Sequence, residues 1–382
     1  MTYFKDVLDN QKNSVRLARM KNNKHFVDDN QTFPFTVADM SFKAMPEIKE
    51  AINEYLEENT LCYTFPRDSY YDVLSNFMKE VHNLEVDRKE VLTFTGVLPM
   101  IDTIIKSYTN EKDGIVIFTP VYPPFYSTVK NANRTLIECP LNNEDGFYTI
   151  DFELFDSLTQ DENVKMVLFC SPHNPVSRVW TKEELEKLVE ISRKNNLLII
   201  SDEIHADITL YDNTHTPLAT LAPEITYTCT SPSKTFNLAS SNCANLIVKN
   251  PKLYGRIVDY NTKQPHNWVN ALGLVATETV YSNYKQWMVE LKKLLEKNYE
   301  YIKERLGHKV TITPLEGTYL LWVDLNPYIK ENIEERLHQH NIYVNNGEMF
   351  GDNGKGFIRI NIACPLEYLE VLCDRLLKVI ED

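Results

Sequence analysis

A lysine lies just past a β-rich run, in Ser231-Pro232-Ser233-Lys234, and a lysine can form a Schiff base with an aldehyde and later act as a base. Four other apolar runs end in comparably distinctive residues. They are followed by Gly96-Val97-Leu98, by Tyr122 in Thr119-Pro120-Val121-Tyr122-Pro123-Pro124, by Asn174 in Pro172-His173-Asn174-Pro175, and by Asp202 and His205 in Ser201-Asp202-Glu203-Ile204-His205. Singly, each has a plainer explanation, since Pro-rich loops are usually turns and most lysines are solvated surface charges. Together, a lysine, an aspartate, a tyrosine, an asparagine and a Gly-headed helix start are the parts a pyridoxal 5'-phosphate (PLP) site needs.

Each part then has a chemical task. Lys234 would tether the cofactor and, once displaced by substrate, take the Cα proton. Asp202 would pair with the protonated pyridine nitrogen and keep the ring an electron sink, where a helix cap is the plainer reading. Asn174 could bond the ring 3-oxygen, and Tyr122 could stack on the ring face. Gly96, Val97 and Leu98 would offer backbone N–H groups to the phosphate, with hydroxyls from Ser231 and Ser233. Arg359, in the apolar run Phe357-Ile358-Arg359-Ile360-Asn361, would be costly if unpaired. It is either half of a buried salt bridge or a fork for a substrate α-carboxylate, assisted by Tyr122 and Asn174.

These positions require elements that bring them to one place. Strands are predicted over Val91–Thr95, Ile115–Phe118, Thr135–Glu138, Lys165–Cys170, Leu197–Ser201, Thr226–Thr230 and Ala244–Val248, alternating with helical stretches. That alternation predicts an α/β fold with a mostly parallel seven-stranded sheet, whose ligands bind beyond the carboxyl ends of the strands. Thr181 with Glu184 predicts a capping box at the start of one covering helix, followed by Leu185, Leu188, Val189 and Ile191 at helical spacing. Beyond about Tyr284 a long charged amphipathic helix, strands near Tyr319–Val323 and Phe357–Ile362, and a final helix from about Leu366 predict a smaller α+β domain. The expected division is an arm over 1–40 that joins the small domain, a large cofactor-binding domain over 41–283 and a small domain over 284–382.

Composition narrows the partners. A net charge of −14 with no long basic cluster argues against nucleic acid, and no apolar run reaches the length of a membrane span. Seven scattered cysteines without a CxxC pair fit neither a disulfide framework nor a zinc site, and the polar N-terminus lacks the apolar core of a secretion signal. A cytoplasmic location is expected, with no metal.

With these motifs in place, the sequence resembles the PLP-dependent fold type I enzymes of the aminotransferase class I/II superfamily, most closely the MalY/PatB type of cystathionine β-lyase. The resemblance spans nearly the whole chain and rests on Val37-Ala38-Asp39-Met40, Gly96-Val97-Leu98-Pro99, Thr119 to Phe125, Pro172-His173-Asn174-Pro175, Arg178-Val179-Trp180, Ser201 to Asp207 and Ser233-Lys234-Thr235-Phe236-Asn237-Leu238. It implies PLP on Lys234 and β-elimination from an S-substituted cysteine such as cystathionine, giving a thiol, pyruvate and ammonia. It also implies a homodimer in which Tyr63 reaches the phosphate of the partner's cofactor. Four positions depart from the family pattern: Ser177 falls where the family commonly has Gly, Ser171 where Asn is frequent, Thr36 where Trp is usual, and Ser41 where Asp is usual. Many aminotransferases have Tyr at the place of His205 and Arg at the place of Asn242. Two other functions share parts of this pattern: an aminotransferase, which would use the same Lys234, Asp202 and Arg359, and a regulatory or binding protein that keeps the fold.

Overall fold

Strands buried on both faces need side chains that are apolar at every position, and the central runs of this chain meet that condition. The computed structural model describes residues 1–7, 14–264 and 268–381. Its large sheet uses β1 (Val91–Phe94), β2 (Gly114–Thr119), β3 (Thr135–Pro140), β6 (Val164–Cys170), β7 (Leu198–Asp202), β8 (Thr226–Thr230) and β9 (Ala244–Ile247), in the order β1-β9-β8-β7-β6-β2-β3. All seven predicted strands are present, with ends shifted by one or two residues. A two-stranded hairpin, β4 (Asn142–Glu144) with β5 (Phe147–Thr149), follows β3 without a sequence signal, because each strand has only three residues and too little length for a period to show.

Along β2 and β6 the pleat divides the side chains between two cores. Ile115, Ile117, Met166 and Leu168 pack on one face of the sheet, and Val116, Phe118, Val167 and Phe169 on the other. The helix Lys182–Lys194 covers the second face through Leu185, Leu188, Val189 and Ile191. Its capping box forms as predicted: Glu184 N donates to Thr181 Oγ1 (3.2 Å), and Thr181 N donates to Glu184 Oε2 (2.8 Å).

The chain after the 23-residue helix Tyr284–Leu306 forms an antiparallel sheet in the order β10-β11-β13-β12, from β10 (Thr311–Ile312), β11 (Leu320–Asp324), β12 (Asn345–Asn346) and β13 (Phe357–Asn361). The closing helix is Leu366–Glu381. The N-terminal chain runs along this sheet: Phe35 N donates to Tyr343 O, and Asn361 N donates to Phe35 O (both 2.9 Å). Six of the seven cysteines are buried as free thiols and Cys62 is exposed. Among the described residues no helix is long and apolar enough to cross a membrane.

Candidate active site

In the large sheet only β9 runs against both of its neighbours, so the carboxyl ends of β1, β2, β6, β7 and β8 open on one rim. Lys234 follows β8. Its Nζ donates to the Ala38 carbonyl (3.0 Å). Burial lowers its proton affinity, Asp39 and Asp202 pull it back up, and Arg359 adds to the lowering. The N-terminal segment beside it is strapped down. Asn237 holds Met40 and Phe42, Asn361 holds the carbonyls of Val37 and Asp39, and Arg16 holds Asp39, Met40 and the Ser41 hydroxyl.

Asp202 ends β7, is 4% exposed, and accepts a bond from Ile204 N (3.2 Å). Burial pushes its carboxyl up to about 7, with that bond and Lys234 opposing and Glu203 adding. Such a carboxyl is only partly ionised near neutral pH, and a cation brought to it would favour the anion. His205, three residues on, is buried with no partner at Nδ1, and burial together with Lys234 and Arg359 pulls it down to about 3. It is therefore a neutral imidazole with an unused ring nitrogen. Tyr122 lies within electrostatic reach of Asp202 and Arg359, and burial raises its hydroxyl above the usual tyrosine value.

For Arg359 the two readings are a structural salt bridge and a fork for a substrate carboxylate. It is 5% exposed on β13, its Nη1 donates to Asn174 Oδ1 (3.0 Å) and its Nη2 to Asn345 Oδ1 (2.7 Å), while Nε has no partner. Among the described residues no carboxylate lies within 4 Å of the guanidinium, so no structural salt bridge forms there. Burial drops its affinity for the proton to about 10. A buried cation whose hydrogen bonds go to amide oxygens, with its Cζ 4.9 Å from the centre of the Phe350 ring, is poised to receive an anion.

Gly96 caps the helix Val97–Tyr108 with no side chain accepting from its first N–H groups, which leaves that helix start available to an anion. The Ser231 hydroxyl is already engaged, donating to Cys243 O (2.8 Å) and accepting from Ser233 N (3.2 Å). It shapes the Lys234 loop. Tyr63 does not join the others within one chain: it is 90% exposed, with its ring 5.4 Å from that of Trp268.

Several contributors had no sequence signal of their own. The Ala38 carbonyl, which accepts from Lys234 and also from Tyr319 (2.8 Å), is a backbone atom, and Tyr319 is one of 21 tyrosines. The departures at Ser177 and Ser41 are accommodated structurally. Ser177 takes a left-handed backbone (φ +58°), which explains the usual glycine, and its hydroxyl is held by Thr318 and the Leu320 carbonyl. Ser41 is one of the atoms Arg16 grips.

The Aminotransferase class I and II family model matches residues 31–376. The chain belongs to that family. Within it, the Bacillus subtilis (strain 168) protein named cystathionine beta-lyase PatB is 32% identical over 346 residues, covering 88% of this chain and 89% of that protein. Among solved structures, PLP-containing cystalysin from Treponema denticola is 35% identical with a TM-score of 0.95, covering 100% of this chain and 98% of that one. The PLP-bound C–S lyase from Staphylococcus hominis is 29% identical with a TM-score of 0.91, covering 99% and 98%. The architecture of this family member is accordingly that of PLP-dependent fold type I, as the sequence motifs implied.

His173, in the Asn174 loop, offers a test of how that loop is built. It is buried, its Nε2 lies 2.9 Å from Pro120 O, and burial lowers it to about 4. A histidine lowered on folding stays neutral while the unfolded chain takes up a proton. Its contribution to stability is thus whole above about pH 6.5 and is lost as pH falls toward 4. His173→Gln should flatten the decline of Tm between pH 6.5 and 4.5 relative to wild type. Parallel declines would contradict the assignment.

Proposed function

We propose that this chain is a carbon–sulfur β-lyase that holds PLP on Lys234 and splits cystathionine or other S-substituted cysteines into a thiol, pyruvate and ammonia. The observation that carries the reading is the buried Arg359 guanidinium, which has no carboxylate among the described residues within salt-bridge distance and acts on the same electrostatic cluster as Lys234 and Asp202. The residues present fit the cofactor: a carboxyl whose anion a cation would favour, a neutral histidine with an unused nitrogen, and an uncapped helix start. The names of PatB and of the Staphylococcus hominis enzyme support elimination as the reaction.

When bound, PLP supplies an electron sink conjugated to the amino acid's Cα. Asp202 would face the pyridine nitrogen and stabilise positive charge there, and Gly96, Val97, Leu98 and Ser233 would hold the phosphate, with Ser231 shaping their loop. Tyr122, Asn174 and His205 would line the ring. Arg359 would grip the substrate α-carboxylate in a two-pronged bond, which orients the Cα–H toward Lys234. Lys234, whose burial favours the neutral amine, would take the Cα proton. The C–S bond at Cβ then breaks with its electron pair leaving on sulfur, which is protonated to the thiol. Water takes up the remaining three-carbon fragment as pyruvate and ammonia.

Arg359→Lys keeps the charge and loses the fork. One charge-assisted bond of about 1.5–3 kcal/mol corresponds to roughly a 10- to 100-fold change. We expect KM for an S-substituted cysteine to rise by that factor with kcat changed less; an unaltered KM would remove Arg359 from substrate binding.

The site would lie where a large domain, 41–283, meets a small one, 284–382, that the arm 1–40 joins, in a cytoplasmic enzyme. A homodimer would complete it. The exposed rings of Tyr63 (90%) and Phe65 (72%) lie 5.4 and 5.2 Å from that of Trp268 (41% exposed), which supports a covering partner whose Tyr63 reaches the phosphate. Light scattering should give twice the 44.5 kDa chain mass. A panel of cysteine S-conjugates of increasing size, scored for pyruvate release and for amino transfer to a 2-oxo acid, tests the function. Pyruvate release throughout supports the lyase, and new amino acid formed only with the oxo acid would make the chain an aminotransferase.

A further inference from the structure

Lys234 and Asp202 stand on different loops, yet the proposed chemistry needs them at a fixed separation, one at the tether and one at the far end of the same small ring. Thr235, the residue after Lys234, is fully buried and tied at both of its ends. Its hydroxyl donates to Asp207 Oδ2 (2.7 Å), and its carbonyl accepts the indole N–H of Trp287 (2.7 Å). Asp207 belongs to the loop after β7 that carries His205 and starts directly after Asp202, so the first bond joins the Lys234 loop to the loop that follows Asp202. The other oxygen of Asp207 accepts from His82 Nε2 (2.7 Å) at the end of the helix Asp68–His82, with both side chains 6% exposed or less. Lys292 acts on the same carboxylate from the helix Tyr284–Leu306, which also carries Trp287. Trp287 is in turn packed by the rings of Tyr3 (5.3 Å) and Phe4 (4.6 Å).

A buried carboxylate–histidine pair is a costly way to fill a core when apolar side chains would pack as well. What it adds is direction, because its bonds are made at one geometry only. We propose that Asp207, backed by His82, and Trp287 are positioning residues that clamp Thr235 from both ends and so set where Lys234 stands relative to Asp202. The clamp rests on the lyase reading only for its catalytic consequence; its effect on Lys234 is a property of the chain itself. None of these side chains touches the reacting atoms. They act through Thr235.

Thr235→Val removes the hydroxyl at nearly constant volume, Thr235→Ser keeps it, and Trp287→Phe removes the N–H while keeping a ring. The titration of Lys234 can be read in the full-length protein without cofactor, by competitive acetylation over a pH series with mass-spectrometric quantification of the Lys234 peptide. Freed from its buried position, Lys234 should titrate higher, toward the ordinary lysine value. We expect that rise in Thr235→Val and Trp287→Phe, wild-type behaviour in Thr235→Ser, and no change at surface lysines. With PLP and substrate, Thr235→Val should lose about 10- to 100-fold in kcat with KM within about twofold. A Lys234 titration unmoved in Thr235→Val, or moved equally in Thr235→Ser, overturns the clamp. Wild-type protein that gains no visible absorption band with PLP contradicts the cofactor reading instead, and the Lys234 titration still decides the clamp.

Discussion

Replacing Lys234 with Ala is expected to lower the rate of thiol release from an S-substituted cysteine by about 10,000-fold or more and to abolish the visible absorption band of PLP-treated protein. The loss is large because one amine serves two tasks: it tethers the cofactor and removes the Cα proton, and a positioned base alone contributes up to about 10,000-fold. The fold should survive, since the side chain makes one hydrogen bond, to the Ala38 carbonyl. Stopped-flow thiol detection and a spectrum of the same sample check both parts. A Lys234→Ala protein that keeps the band would place the cofactor on another lysine.

The second large effect concerns Asp202. Asp202→Asn preserves the shape and removes the charge, and we expect kcat to fall roughly 100- to 1,000-fold, the scale on which a preorganised electrostatic group acts. The cofactor-free protein should respond in the opposite sense. A carboxyl raised from 3.8 to about 7 binds its proton more readily folded than unfolded, so the folded state carries no penalty below the unfolded value and acquires one as pH rises through about 7. At pH 8 the wild-type protein without cofactor holds a buried carboxylate that no cation neutralises fully, and the Asn variant does not. Its Tm at pH 8 should therefore exceed that of wild type, while the two converge below about pH 4. Slower turnover together with higher stability is the pattern of a residue kept for chemistry. Loss of activity and loss of stability together would make Asp202 a structural residue.

Why these residues could be found from sequence, and others could not, follows from how each one acts. Strands buried on both faces are apolar throughout, so the seven strands of the large sheet and the loops at their ends were legible, and Lys234, Asp202, Asn174 and Tyr122 with them. The fold type followed from the motifs on those loops. Arg359 was visible as a charge inside an apolar run, but only the structure shows that its partners are the amide oxygens of Asn174 and Asn345. Contacts distant in sequence left no trace. The bond from Lys234 to Ala38 spans 196 positions, that from Trp287 to Thr235 spans 52, and that from His82 to Asp207 spans 125. The three-residue strands β4 and β5, and the two-residue strands β10 and β12, carry too few residues for a period to show. Ser231 was legible as a hydroxyl beside Lys234, while its bond to the Cys243 carbonyl was not.

The most direct test is a count of turnovers. PLP-loaded protein is mixed with cystathionine or another S-substituted cysteine in the complete absence of any 2-oxo acid, and thiol, pyruvate and ammonia are measured over time. The lyase account predicts all three in equal amounts, rising far beyond one equivalent per active site. Transfer of the amino group to the cofactor, stopping at one equivalent per site until a 2-oxo acid is added, would contradict it.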